Sequence, residues 1–465
     1  MTLAAQIAER IHALRFEDIT PTALAWTGTA FTDTVGVTLA GIMDEGPRIL
    51  LRVPGIAGPG PCLIFGTDKR TGPLDATLIN GTASHALDYD DVSGVMGAHP
   101  SAMLTSPLLA LGELLGSSGR DVALAYVVGY ETECRIARGV HFHHYDKGWH
   151  PTATLGIFGT VAAAARLLHM SVDHTAVALG LAASLASGLK ANFGTMTKPL
   201  HVGHSARNGL FAAFMAREGF TANPGAFEHK QGFLDVFNGP GTYDTARMLA
   251  DWYAPFECDG AAEPGLKPYP CCGSTHASIN RMIALARTHG LTPEQTEKIE
   301  ILPHGRRLPH TDNADPRTSL GAKFSIQYCV ARALADRAVK LEHFEGDAPF
   351  DPTVRALMAR TEARPHPDMA DDSPLQWGAE IVVTTRDGQR FASRLDDFER
   401  LGPGAQPMTR EAMWEKFADC AQRALPRPQI APLFEQLGRI DQVENVADLV
   451  RLMEVQGTTH AARAA

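Results

Sequence analysis

The sequence predicts a mainly α protein with a large all-helical domain and a smaller α+β domain. Three observations carry this expectation. From residue 1 to about 257, apolar residues recur at helical spacing in one run after another. After Cys258-Asp259-Gly260 the texture changes to a Pro-rich stretch and then to strand-like segments around a hairpin signal, Arg386-Asp387-Gly388. From Thr409 the helical pattern returns. The expected division is a helical domain over 1–258, an α+β domain over 259–400, and C-terminal helices over 401–465 that rejoin the first domain.

In order along the chain, Ala4, Ile7, Ile11 and Leu14 mark a first amphipathic helix, and Pro21 opens a second run through Met43. Leu74 to Leu87 gives a third. Longer Ala/Leu/Val/Gly runs follow at 101–117, 121–139, 151–169, 173–189 and 200–218. Several are apolar nearly all round, as an inner helix of a multilayer bundle requires. A helix is expected from Ser274 to His289, a strand from Glu297 to Leu302, and a helix around Ser319 to Ala338. Strands from Trp377 to Thr385 and from Gln389 to Arg394 flank the hairpin turn.

The 465 residues, 45% apolar and 20% charged, suit a globular chain of two domains and exclude disorder by composition. With 42 basic against 52 acidic residues the net charge is −10, and no basic stripe points to nucleic acid. An anionic small-molecule substrate stays open, because a pocket's local sign can oppose the net sign. Seven cysteines without a two-residue gap between any pair read as reduced, buried thiols. No window approaches a membrane span, and the amphipathic N-terminus with Glu9 is no signal peptide, so a soluble cytoplasmic protein is expected.

The nucleotide fingerprints, the nucleophile elbow and the zinc-protease motif do not occur. What recurs is an ionisable residue followed by Pro at a helix start: His99-Pro100, His150-Pro151 and Lys198-Pro199. Proline suits the first helical turn, the unpaired N–H groups there favour an anion, and His or Lys adds positive charge. One such start is ordinary helix punctuation; three suggest a carboxylate pocket. Lys267, within Lys267-Pro268-Tyr269-Pro270, sits at the expected domain junction. In His85-Ala86-Leu87-Asp88-Tyr89-Asp90-Asp91, carboxylates crowd a helix C-terminus against its dipole. The preferred reading is that Asp88 and Asp91 orient the histidines; no metal is expected. His141-Phe142-His143-His144-Tyr145-Asp146-Lys147-Gly148-Trp149-His150 is the stretch richest in proton-transfer groups, with His141 and His143 expected at the surface without a role.

These segments resemble the MmgE/PrpD family: His85 to Asp91, His99-Pro100-Ser101, Gly148 to Thr152, Thr197 to His201, Lys267 to Pro270, and Ser325-Ile326-Gln327-Tyr328. The resemblance implies a helical domain with a smaller α+β lid, a cleft between them, a homodimer, and no required cofactor. It also implies chemistry on a small anionic polycarboxylate, forming or quenching a carbanion next to a carboxylate. Tyr145, His99, His150 and Lys198 are the expected catalytic residues, with Lys267, His201 and Tyr328 binding substrate. Two departures select among members. Dehydratases tend to follow His-Pro-Ser with Asp, where this chain has Ala102; decarboxylases resemble Asp-Asp-Thr, where Val92 follows Asp91. Both remove polar groups, so the expectation is an epimerase of an iminodisuccinate-like substrate. The alternative is a carbon–oxygen or carbon–carbon lyase acting on 2-methylcitrate, citrate or cis-aconitate, and a non-catalytic polycarboxylate binder is a third reading.

Overall fold

The computed structural model describes residues 1–369, 373–398, 401–403 and 407–455. These form two compact units: one from 1–192, 196–266 and 401–455, the other from 193–195 and 267–398.

The first unit is built on long helices. They are α1 (Leu3–Ala13), α2 (Pro21–Gly41), α3 (Pro73–Ala86), α4 (Pro100–Leu115), α5 (Gly119–Val140), α6 (Gly156–Leu167), α7 (Val172–Leu185) and α8 (Thr197–Arg217). Pro opens α2, α3 and α4, and Thr20, Ser118 and Ser171 cap α2, α5 and α7 with side-chain oxygens. The apolar faces meet in one core that includes Phe31, Leu104, Tyr126, Tyr130, Phe158 and Leu210. Where α3 crosses α8 the backbones touch. A Cβ on Gly81 would lie 2.9 Å from Gly203 Cα, and one on Gly203 would run into the Leu78 carbonyl. Only glycine at both positions lets the helices come this close.

The second unit packs α9 (His276–His289) and α10 (Ile326–Asp336) with a four-stranded sheet. Its strands are β1 (Thr296–Pro303), β2 (Thr361–Ala363), β3 (Ala379–Thr385) and β4 (Arg390–Leu395), in the order β2-β1-β3-β4. β1 and β2 are parallel; the other pairs are antiparallel. The hairpin turns at Arg386-Asp387-Gly388, where Gly388 takes φ +86° and the Thr385 N–H donates to the Gln389 carbonyl. The chain then returns to the first unit through α11 (Arg410–Ala421) and α12 (Arg427–Leu437).

The mainly helical class agrees with the sequence, but several boundaries move. The run at 151–169 is two helices, a short one over Pro151–Thr154 and α6, parted at Leu155. The run at 173–189 stops at Leu185, which leaves residues 186–189 to pair with the segment before His150. The helix expected over 319–338 breaks at Phe324, because the Ser325 hydroxyl caps a new helix by accepting from the Tyr328 N–H. β2 was not expected, since three residues are too few to show alternation. Residues 456–465 of the expected C-terminal segment lie outside the described residues. Among the described residues, no helix is long and apolar enough to cross a membrane.

Candidate active site

α3 ends at Ala86 and α4 begins at Pro100, and the turn between them carries the acidic cluster. Asp88 takes φ +52°, a left-handed conformation that Asp tolerates better than most side chains. Asp91 caps the next helix: its carboxylate accepts from the Ser101 N–H at 3.2 Å and from the Ser101 Oγ–H at 2.6 Å. Ser101 Oγ also meets the Tyr126 hydroxyl at 2.7 Å. Burial pushes the Asp91 carboxyl up to about 8 against the Ser101 hydrogen bonds, with the charges of Asp90 and Asp33 adding to it.

His99 is the N-cap residue of α4. Its Nδ1 lies 2.7 Å from the Asp91 carbonyl oxygen and 3.2 Å from Asp90 Oδ2. Both partners only accept, so the proton sits on Nδ1 and Nε2 is the nitrogen left for chemistry. Nε2 is 3.8 Å from Asp88 Oδ1. Asp90 also accepts from His85 Nδ1, at 2.8 and 3.0 Å to its two oxygens. Burial would raise the Asp90 carboxyl, but His85 and His99 hold it well below the usual carboxylate range. Burial in turn pushes His85 down to about 3, so a neutral imidazole faces an ionised carboxylate. The His85 ring stands edge-on to His99, centroids 4.5 Å apart, and stacks at 5.8 Å on His150. Its Nε2 is buried with no hydrogen-bond partner among the described residues.

Lys198 and His201 lie one turn apart on α8 and reach the same cluster. Lys198 Nζ is 2.6 Å from Asp88 Oδ1, both side chains buried. His150 Nδ1 meets His201 Nδ1 at 3.1 Å. Burial holds His150 well below the usual range, with Lys198 and the neighbouring histidines adding to the effect, and burial with Lys198 pushes His201 down to about 4. The two His-Pro starts are tied directly, since the His99 N–H donates to Thr152 Oγ1 at 3.3 Å. The structure therefore brings His99, His150, Lys198 and the half-buried His201 into one cluster with Asp88.

Tyr145 lies in the short helix His143–Asp146. Lys190 Nζ stands 3.3 Å over its ring and donates to its carbonyl at 2.9 Å. Burial pushes Lys190 down to about 8. A Cβ on Gly97 would lie 3.9 Å from the Tyr145 ring, which puts the tyrosine beside the loop leading to His99. Lys267 and Tyr328 belong to the second unit, and both are buried there. The Tyr328 hydroxyl donates to the His343 carbonyl and accepts from Arg332 Nε at 3.1 Å, so it braces α10 in this structure.

Three assignments need correction. Lys198 was expected to cap its helix, but α8 starts at Thr197 after Met196, and Lys198 is its second residue. Asp88 and Asp91 were expected to orient the histidines. The carboxylate that does so is Asp90; Asp88 holds Lys198, and Asp91 uses its backbone carbonyl. His141 is not simply a surface residue, because its Nε2 meets the Met96 carbonyl. In the same stretch, His144 is buried between Asn238 Oδ1 and Thr154 Oγ1 and serves packing. Asp90 and His85 could have been suspected from their place inside the acidic segment. Lys190 carried no signal beyond being a lysine in a loop.

His85, Asp88, Asp90 and His99 each bring one ligand-type atom within 4.8 Å of the others, a set that could hold a cation. Lys198 already sets its ammonium on Asp88 in that group. An imidazole with one assigned nitrogen, a buried ammonium on a carboxylate, and further neutral imidazoles are groups that can exchange protons and oppose negative charge.

The comparisons point to an enzyme family. Residues 5–246 match the MmgE/PrpD N-terminal domain and residues 269–435 the MmgE/PrpD C-terminal domain; the chain belongs to this family. It is 27% identical to the cis-aconitate decarboxylase of Mus musculus, over 96% of this chain and 92% of that protein. It is 28% identical to that of Homo sapiens, over 97% and 95%. To that of Aspergillus terreus it is 25% identical, over 85% and 84%.

Proposed function

We propose that this enzyme is a carbon–carbon lyase that decarboxylates a small unsaturated tricarboxylate of the cis-aconitate type. The observation that supports this most is that Lys198 Nζ and His99 Nε2 both lie near one oxygen, Asp88 Oδ1, at 2.6 and 3.8 Å. A substrate carboxylate entering there meets a cation and a proton carrier together. The near full-length likeness to cis-aconitate decarboxylases supports the same reaction. Breaking the bond to the departing carboxylate leaves its electron pair on the conjugated carbon frame. Lys198 offsets that charge, and His99, entering this step with a second proton on Nε2, donates that proton to the carbanion and is left as the neutral Nδ1–H imidazole. Asp90 and the Asp91 carbonyl keep the His99 ring in the required tautomer.

Val92 favours a second reading, since the hydroxyl of the Asp-Asp-Thr pattern is missing there. An epimerase needs only to remove and return one proton α to a carboxylate, with Tyr145 on one face and His99 or His150 on the other. Incubation with cis-aconitate, citrate, 2-methylcitrate or iminodisuccinate in D₂O, followed by NMR, separates the readings. Release of CO₂ with one deuterium in the product is the expected result. Deuterium exchange on an intact carbon skeleton makes the enzyme an epimerase, and loss of water makes it a dehydratase. Neither exchange nor product from any of these acids refutes carbanion chemistry.

A further inference from the structure

The acidic turn is braced by a residue 327 positions away in sequence. Lys416, on α11, is buried in the first unit. Its Nζ lies 2.6 Å from Asp33 Oδ1 on α2, donates to the Tyr89 carbonyl at 2.9 Å, and stands 3.9 Å over the Tyr89 ring. Neutralising Asp33 would require only the first of these contacts. The other two grip the residue between Asp88, which holds Lys198, and Asp90, which holds His85 and His99. We propose that Lys416 is a positioning residue: by clamping Tyr89 it fixes the 88–91 turn, and through it the direction of His99 Nε2 and Lys198 Nζ. This rests on the reading above that His99 and Lys198 are the working groups. α11, whose Lys416 lies 327 residues beyond Tyr89 in sequence, then sets the geometry in which the chemistry occurs.

Lys416 and Asp33 form a buried ion pair, so the two are removed together as Asp33→Leu with Lys416→Met. Asp33→Asn alone is the control, because it leaves both Tyr89 contacts in place. Per folded molecule, the double variant is expected to lose about 10²-fold in kcat, the scale on which a small misplacement of a reacting group acts. KM is expected to stay within about threefold, since Lys198 stays rooted on α8 and keeps its charge in the pocket while only the direction of its Nζ changes, and the control is expected to keep kcat within about threefold. Equal losses in both variants, or near wild-type kcat in the double variant, overturn the proposal. If the double variant does not fold, Lys416→Met with Asp33→Asn decides: it removes both Tyr89 contacts and leaves no buried charge, a fall in kcat of the same order supports the clamp, and full activity overturns it. A reaction-independent readout separates this proposal from the functional one. Carbethoxylation of His99 by diethyl pyrocarbonate, followed by peptide mass spectrometry, is expected to change at least about threefold in the double variant. An unchanged rate overturns the clamp even if the wild type turns over none of the acids above, a result that counts only against the proposed reaction.

Discussion

Replacing Asp91 by Asn should stabilise the protein at alkaline pH and do little at acid pH. Asp91 is fully buried, and its carboxyl titrates at about 8 where an ordinary aspartate titrates at 3.8. Between those limits the folded chain keeps a proton that the unfolded chain has released. The unfolded state therefore binds fewer protons, and the free energy of unfolding falls as pH rises, by about 1.4 kcal/mol per pH unit from this group. The penalty is absent below 3.8, grows up to about 8 and is constant above, reaching about 6 kcal/mol. Asparagine has no proton to lose and can still accept from Ser101 through its amide oxygen. The weaker acceptor costs about 1 kcal/mol. Asp91→Asn should then exceed the wild type by several kcal/mol at pH 8.5 and nearly equal it at pH 5. Urea unfolding followed by circular dichroism at several pH values, variant against wild type, measures the difference. A difference that does not change with pH refutes the reasoning.

Two further outcomes follow from the geometry. Tyr145→Phe should lower turnover by about 10²–10⁴-fold with substrate binding nearly intact if the hydroxyl exchanges a proton; wild-type turnover removes Tyr145 from the mechanism, and loss of binding alone makes it a clamp. Gly203→Ala should destabilise the first unit by at least about 1–3 kcal/mol, because the new methyl meets the Leu78 carbonyl rather than a side chain that can move; an unchanged melting temperature would mean that α3 and α8 part at little cost.

The helical class and the β3–β4 hairpin were legible because both are local patterns, one a period of apolar residues and the other a turn signal. The His-Pro starts at His99 and His150 were legible for the same reason, as each is written within two residues, whereas the helix at Lys198 begins one residue before it. What joins them was not. Nothing in the spacing of Asp88, Asp90 and Asp91 says which one faces the histidines, because the left-handed residue at Asp88 redirects the turn. Tyr328 lay in a motif shared with the family, yet its hydroxyl is spent on the His343 carbonyl, a contact that depends on how α10 meets the segment after it. Lys416 and Lys190 act through chain segments far from their own, and no one-dimensional pattern records that. Leu155 and Ser325 broke helices whose apolar content ran on unchanged, because a capping hydroxyl or a turn weighs more locally than periodicity.

The pinning of the His99 ring has a stereochemical consequence. With Nδ1 engaged by Asp90 and by the Asp91 carbonyl at once, the ring cannot turn over without giving up both partners. His85 on the same carboxylate closes off one side of that ring. In the proposed reaction, a proton that Nε2 has taken up would therefore approach the substrate carbon from one direction only. Handedness in the product would then be imposed by a carboxylate that never touches the substrate, and a methylene labelled in D₂O should carry its deuterium in a single prochiral position.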